Sequence, residues 1–134
     1  TIEEVDAAVN VLEKNASGNY LLMHTNSAYP APPEDLNLKV INFLRDRYHC
    51  LIGYSGHEYD LEPTVLAVSL GVSIIERHIT LDHNMWGSDQ FASLEVHAMD
   101  LLNKRIKDIN LILGDGIKRV SEKEMEVRKK LRGN

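Results

Sequence analysis

The sequence predicts an α/β fold, a partial (β/α)8 barrel of about three βα units with parallel strands and flanking helices. Three observations carry this. Short apolar runs at about residues 20–24, 50–55 and 72–77 each end in a cluster of polar residues, the pattern of a buried strand. Each run is followed by apolar positions at helical spacing, and strands alternating with helices imply a parallel sheet whose right-handed crossovers bring every C-terminal strand end to one rim. The chain has 134 residues, whereas a closed barrel of eight units takes about 250. Three parallel strands with helices on one face neither close a barrel nor hide both edges, so the chain is either half a barrel or one of two copies that pair.

The elements follow in order. Thr1 to Glu4 spell a capping box, and Ile2, Val5, Val9 and Leu12 recur at helical spacing, so a helix begins at the first residue. With no initiator Met and no strand before it, this start is expected to be a cut edge. After Ser17-Gly18-Asn19, the run Tyr20-Leu21-Leu22-Met23 reads as a buried strand closed by His24-Thr25-Asn26-Ser27. Pro30, Pro32 and Pro33 interrupt regular structure, and a second helix is expected from Glu34 and Asp35 to about Tyr48-His49, with Leu36, Val40, Phe43 and Leu44 on one face.

Cys50-Leu51-Ile52-Gly53-Tyr54 forms the second strand, ending in Ser55-Gly56-His57-Glu58, and a helix carrying Leu61, Val65, Leu66 and Val68 runs to Gly71. The third strand, Val72-Ser73-Ile74-Ile75, ends in Glu76-Arg77-His78. From there to about Ala92 no periodicity is visible, and a loop of roughly fourteen residues is long enough to close over or line a site. Ser93 is expected to cap the last long helix, which carries Met99, Leu102, Ile106, Ile109 and Leu113 and stops at Gly114-Asp115-Gly116. Ser121 to Glu124 form a second capping box that opens a short charged helix.

Composition excludes several classes of function. With 20 acidic and 15 basic side chains, the formal charge is −5, which attracts neither nucleic acid nor an anionic membrane. The basic stretch from Lys118 to Arg132 is interleaved with Glu122, Glu124 and Glu126 and reads as a solvated helix. The single cysteine, Cys50, cannot form an internal disulfide and is expected to be buried and reduced, which suits the cytoplasm. No apolar stretch approaches the roughly 20 residues that span a bilayer, so a soluble cytoplasmic chain is expected.

The residues with chemical potential sit at strand ends. Neighbouring strands lie about 4.8 Å apart, so His57 and His78, at the ends of adjacent strands, can converge on one ion held by imidazole and completed by water or substrate oxygen. Their spacing matches no short metal motif, and core or surface histidines are common. Placement favours the site: each stands in a polar cluster directly after an apolar strand, where barrel enzymes keep their catalytic groups. His49, His83 and His97 fall in a helix end, a loop and a helix surface and are expected to be structural or solvated. His24 fits core packing and the rim equally.

The segments His24-Thr25-Asn26-Ser27-Ala28-Tyr29-Pro30, Gly53-Tyr54-Ser55-Gly56-His57-Glu58, Glu76-Arg77-His78-Ile79-Thr80-Leu81-Asp82 and Trp86-Gly87-Ser88-Asp89-Gln90-Phe91-Ala92-Ser93-Leu94-Glu95 resemble the sialic acid synthase family, in the same order and spacing. The resemblance extends to Gly114-Asp115-Gly116 and to the closing Arg128-Lys129-Lys130-Leu131-Arg132-Gly133, which in the family leads into an antifreeze-like domain. It implies that residues 1–134 are the C-terminal half of the catalytic barrel, with the antifreeze-like domain absent.

It further implies condensation of phosphoenolpyruvate with N-acetylmannosamine or its 6-phosphate, giving N-acetylneuraminate or its 9-phosphate and inorganic phosphate, with a divalent ion, Mn2+ or Mg2+, as cofactor. By resemblance, His57 and His78 match the metal-binding, catalytic pair, and the ion polarises the sugar aldehyde for attack by C3 of phosphoenolpyruvate. Ser27 and Ser55 match phosphoenolpyruvate contacts, and Tyr29 and Asp89 match sugar contacts. Gly56 departs from members that carry Asp there, which bears on subgroup rather than on the metal pair. Trp86 serves equally as an apolar anchor for its loop or as a ligand contact, and Arg77 is expected to pair with Glu76 or Glu58.

The family's phosphoenolpyruvate-binding lysines and its catalytic glutamate come from the first half of the barrel, so the chain by itself is expected to be inactive. Two alternatives stand beside this reading. The same condensation serves legionaminic, pseudaminic and spore-coat sugar acids, and a half-barrel with open edges is suited to non-catalytic self-association. A homodimer is the expected assembly.

Overall fold

The computed structural model describes residues 1–132, so Gly133 of the closing motif lies outside the described residues. Helix α1 (Ile2–Ala16) opens with the expected capping box, in which both the Thr1 side chain and the Glu4 carboxylate bond the opposite backbone. Strand β1 (Leu21–Thr25) pairs in parallel with β2 (Leu51–Gly56), and β2 pairs in parallel with β3 (Ile74–Arg77), giving the sheet order β1-β2-β3. Helices α2 (Val40–Tyr48) and α3 (Glu62–Ser69) are the crossovers. Strand bounds differ from expectation by one or two residues, because the ladder rather than the apolar run decides where a strand starts.

The core lies between the sheet and the helices. Ile52 and Tyr54 of β2 meet Ile41 and Leu44 of α2 and Ala67 of α3, with Ile2 and Val5 of α1 packed at the margin. Ile41 and Ile52 are almost wholly buried, each contributing about 2–3 kcal/mol of transfer free energy. Asp6 ties α1 to α2 through Arg47 Nε and Nη2 and the Tyr48 hydroxyl, at 2.9, 2.6 and 2.8 Å.

Side chains alternate across a strand. Ile52 and Tyr54 face the helices, which sends Leu51, Gly53 and Ser55 to the other face, the one that would be a barrel's interior. That face is open: Leu51 is 59% exposed and Ile74, on β3, 42%.

Four expectations are corrected. The second helix does not begin at Glu34: Pro33–Asp35 make a single 3-10 turn, and α2 starts only at Val40. Asn37, at φ 40°, takes a left-handed backbone that interrupts any helix begun at Pro33. The stretch after His78 is not wholly loop, since β4 (Ile79–Thr80) pairs in parallel with β5 (Leu94–Glu95). Two-residue strands are too short to show a period. Consequently Glu95, not Ser93, is the N-cap of α4 (Val96–Leu113), and the Ser93 hydroxyl donates instead to the Asp89 carbonyl. Cys50 is half-buried rather than buried.

Helix α4 ends before Gly114, and the Ser121–Glu124 box opens α5 (Glu122–Arg132) as expected. Every residue from Asn110 to Arg132 is exposed. Among the described residues no helix is long and apolar enough to cross a membrane.

Candidate active site at the strand ends

The β2–β3 ladder runs from Gly53↔Ile74 to Gly56↔Arg77 and stops there. The residues that follow, His57 and His78, therefore leave adjacent strands side by side. Their rings meet edge to face, with centroids 5.2 Å apart. Tyr29, from the loop after β1, stacks on His57 at 4.2 Å and lies 5.5 Å from His78.

Hydrogen bonds decide what His57 presents. Its Nδ1 lies 2.6 Å from the Asn26 carbonyl, which can only accept, so Nδ1 carries the proton. Nε2 is then the lone pair. It faces the Tyr29 hydroxyl at 3.1 Å and the Ser55 hydroxyl at 3.4 Å. The ring is 7% exposed, so it is held in a largely dry pocket with its basic nitrogen aimed at the rim. A histidine whose second nitrogen is bonded to a carbonyl is the arrangement by which proteins orient an imidazole ligand.

His78 is more open. Its Nδ1 stands 3.6 Å from Asp89 Oδ2, within ion-pair range, and the Ser88 hydroxyl donates to the other Asp89 oxygen at 2.6 Å. Ser55 donates to Glu76 Oε1 at 2.8 Å, so a carboxylate also borders the pair.

Of the six residues expected at the site, five come together: His57, His78, Tyr29, Ser55 and Asp89. Ser27 is exposed on the β1 loop, two residues before Tyr29, with no side-chain hydrogen bond among the described residues. His24 turns to the helix side, with Nε2 2.7 Å from the Leu36 carbonyl, and is structural. His83 is held to the Ser93 carbonyl at 2.8 Å, and His49 and His97 lie at a helix end and on a helix surface. Trp86 is 99% exposed, so it anchors nothing within the described residues.

Sequence reasoning missed two contributors and foresaw only one link of a third, the pairing of Arg77 with Glu76 or Glu58. Glu76 was legible, since it stands two residues before His78 on a strand and so shares its face. The Asn26 carbonyl was not, because a backbone group leaves no mark on residue type. The third is a buried network behind the histidines. Arg77 Nη1 lies 3.0 Å from Glu58 Oε1, with side chains 1% and 2% exposed, and the Tyr54 and Thr64 hydroxyls donate to the same carboxylate at 2.9 and 2.8 Å. Burial lowers the Arg77 pKa from the usual guanidinium value, against the pull of Glu58. Burial, then the Glu58 charge, holds the Tyr54 phenol above the usual tyrosine range. Of the partners expected for Arg77, the structure selects Glu58.

The donor set fits a divalent ion as a two-imidazole site. Among the described residues no group of three or more His, Cys, Asp and Glu side chains stands ready to hold a metal. An ion between His57 and His78 would therefore take most of its shell from water or substrate. A cleft of about 960 Å³ among Glu13, Tyr20, Arg45, Asp46 and Cys50 lies at the opposite end of the strands, away from this chemistry.

Comparison with known proteins identifies the family of the chain. The chain is 41% identical over 134 residues to the N,N'-diacetyllegionaminic acid synthase of Campylobacter jejuni, covering 96% of this chain and 40% of the relative. It is 40% identical over 119 residues to the human N-acetylneuraminate-9-phosphate synthase, covering 88% and 33%. The crystal structure of the N-acetylneuraminic acid (sialic acid) synthetase from Leptospira borgpetersenii superposes with a TM-score of 0.81 at 34% identity, covering 100% of this chain and 48% of that one. A spore coat polysaccharide biosynthesis protein from Bacillus subtilis gives 0.80 at 34%, covering 92% and 36%. The chain thus spans less than half the length of these relatives, and its parallel strands and helices form part of their (β/α)8 barrel. Residues 1–118 match the NeuB family, and with that match, the crystallographic likeness and the four motifs gathered on one rim, the chain belongs to the NeuB family.

Proposed function

We propose that the chain is the C-terminal half of a nonulosonic acid synthase barrel and forms one wall of its active site. The reaction joins C3 of phosphoenolpyruvate to the aldehyde carbon of an N-acetylated amino sugar, adds water to the former enol carbon and releases inorganic phosphate. The observation that supports this reading best is His57, buried beside His78 with Nδ1 engaged by the Asn26 carbonyl and the Nε2 lone pair turned to the rim between the Tyr29 and Ser55 hydroxyls.

His57 and His78 would hold Mn2+ or Mg2+. When bound, that ion supplies Lewis-acid polarisation of the aldehyde oxygen. Ser55 keeps a hydroxyl at the foot of the pair, and by turning its single O–H from Glu76 to the substrate it suits, with Ser27, the carboxylate and phosphate oxygens of phosphoenolpyruvate. Tyr29 offers an aromatic face to the N-acetyl group. Asp89 accepts hydrogen bonds from sugar hydroxyls and keeps an anion beside His78.

Two relatives at nearly equal identity are synthases of different products, N,N'-diacetyllegionaminic acid and N-acetylneuraminate 9-phosphate, so the acceptor sugar is the quantity to test. The test is phosphate release from phosphoenolpyruvate with N-acetylmannosamine, its 6-phosphate or an N,N'-diacetylated hexose. It is run on the chain alone and on the chain mixed with the N-terminal remainder of the Campylobacter relative's barrel. No turnover alone, and His57-dependent turnover in the mixture, is the expected result. Turnover by the chain alone refutes the one-wall reading. The open inner face, with Leu51 and Ile74 exposed, favours a second reading, self-association as a homodimer, which the mass of the chain in the same samples separates.

A further inference from the structure

The network behind the histidines has a geometry that plain stabilisation does not require. Glu58 follows His57 in the chain, and Arg77 precedes His78. The alternation that aims the imidazoles at the rim sends these two side chains to the helix side, where they meet. Arg77 does more than neutralise Glu58. Its Nη2 donates to the Glu58 carbonyl at 2.6 Å, and its Nη1 reaches the Asp60 carbonyl at 3.3 Å and the Thr64 hydroxyl at 2.9 Å.

The β2–β3 ladder ends at Gly56↔Arg77, so no strand pairing holds His57 and His78 in register. The guanidinium continues the connection past the last ladder pair by gripping the backbone that carries His57 from the residue that carries His78. A buried ion pair gains little or nothing over an apolar pair of like volume, because desolvation offsets its attraction. Here one buried nitrogen, Arg77 Nε, also lacks a partner among the described residues. An apolar pair would fill the layer as well, but it could not hold the Glu58 and Asp60 carbonyls.

We propose that the buried Glu58–Arg77 pair is a positioning device that sets the separation and aim of the two imidazoles. This rests on the reading of His57 and His78 as ion ligands. Residues 58 and 77 touch no substrate in this scheme; they act through the histidines.

The test titrates the chain with Cu2+, which binds imidazole more tightly than manganese does and therefore reports a two-histidine site directly. Electron paramagnetic resonance counts the nitrogen donors, and a thermal melt reports folding separately. In the unsubstituted chain one Cu2+ should show two nitrogen donors, a signal lost in His57→Ala. The double variant Glu58→Leu/Arg77→Met should stay folded, because an apolar replacement of a buried pair is often neutral. It should lose affinity by about tenfold or more, the scale on which residues supporting a metal ligand act, with one nitrogen remaining.

Arg77→Lys is the second variant. It keeps the charge beside Glu58 and loses the planar fork, so it should weaken binding in the same direction, by about tenfold, at the low end of that scale. A folded double variant, or a folded Arg77→Lys chain, that keeps the two-nitrogen spectrum at unsubstituted affinity overturns the proposal alone. Absence of a two-nitrogen signal from the unsubstituted chain overturns the ligand reading, and this inference with it.

Discussion

Gly56 is the residue whose replacement tests the buried network most directly. A Cβ added there would stand 2.7 and 2.8 Å from the Glu58 carboxylate oxygens and 2.9 Å from Arg77 Cδ. The carboxylate ends a flexible side chain, but Tyr54, Thr64 and Arg77 all hold it, so it cannot retreat without breaking bonds to a buried charge. Inserting a methyl group into a filled site costs about 1–3 kcal/mol, and one loosened hydrogen bond to the carboxylate adds about 1.5 kcal/mol. Gly56→Ala should therefore destabilise the chain by about 3 kcal/mol.

Urea unfolding followed by circular dichroism measures this. At a slope of about 1.5–2 kcal/mol/M, the midpoint should fall by about 1.5–2 M. Gly18→Ala is the comparison: Gly18 has open space around it and φ 78°, so its cost is the left-handed backbone alone, about 1–2 kcal/mol. If Gly56→Ala lies within 0.5 kcal/mol of the unsubstituted chain, or costs no more than Gly18→Ala, the network is not packed against Gly56 and the reasoning fails.

Two further outcomes are expected. The Arg47 guanidinium, and after it the Tyr48 hydroxyl, hold the Asp6 carboxyl below its ordinary pKa. A depressed folded pKa gives stability that is present above the unfolded value of about 3.9 and is lost as pH falls through the folded value, so Asp6→Asn should flatten the decline of melting temperature below about pH 4, and an unchanged profile would show that the α1–α2 tie carries no linkage. Trp86 is the single tryptophan and is fully exposed, so the folded chain should emit at the wavelength of a solvated indole and Trp86→Ala should change stability by less than about 0.5 kcal/mol; blue-shifted emission would place that ring against a surface the structure does not give it.

Much of the fold and of the site is legible in the sequence. Apolar runs that close in polar clusters separated the core from the rim, the capping boxes at Thr1 and Ser121 announced their helices, the clusters after β2 and β3 pointed to His57 and His78, and the family resemblance added Tyr29 and Ser55. These signals are local: each is written in residues a few positions apart, and the backbone they specify is regular. The misses fall where the determinant is not local. The 3-10 turn at Pro33–Asp35 depends on a left-handed Asn37, and the β4–β5 pair depends on a ladder closed across thirteen residues.

The pairing of His57 with His78 illustrates the division. Residue type and strand position were enough to nominate both histidines, because a parallel sheet must deliver its strand ends to one rim. Which nitrogen of His57 faces the rim was settled by the Asn26 carbonyl, thirty-one residues away. What joins the two segments behind the rim was settled by Glu58 meeting Arg77 across nineteen. Side-chain chemistry along the chain determined the candidates, and only tertiary packing, which brings distant backbone carbonyls and buried charges within about 3 Å, decided how they are held.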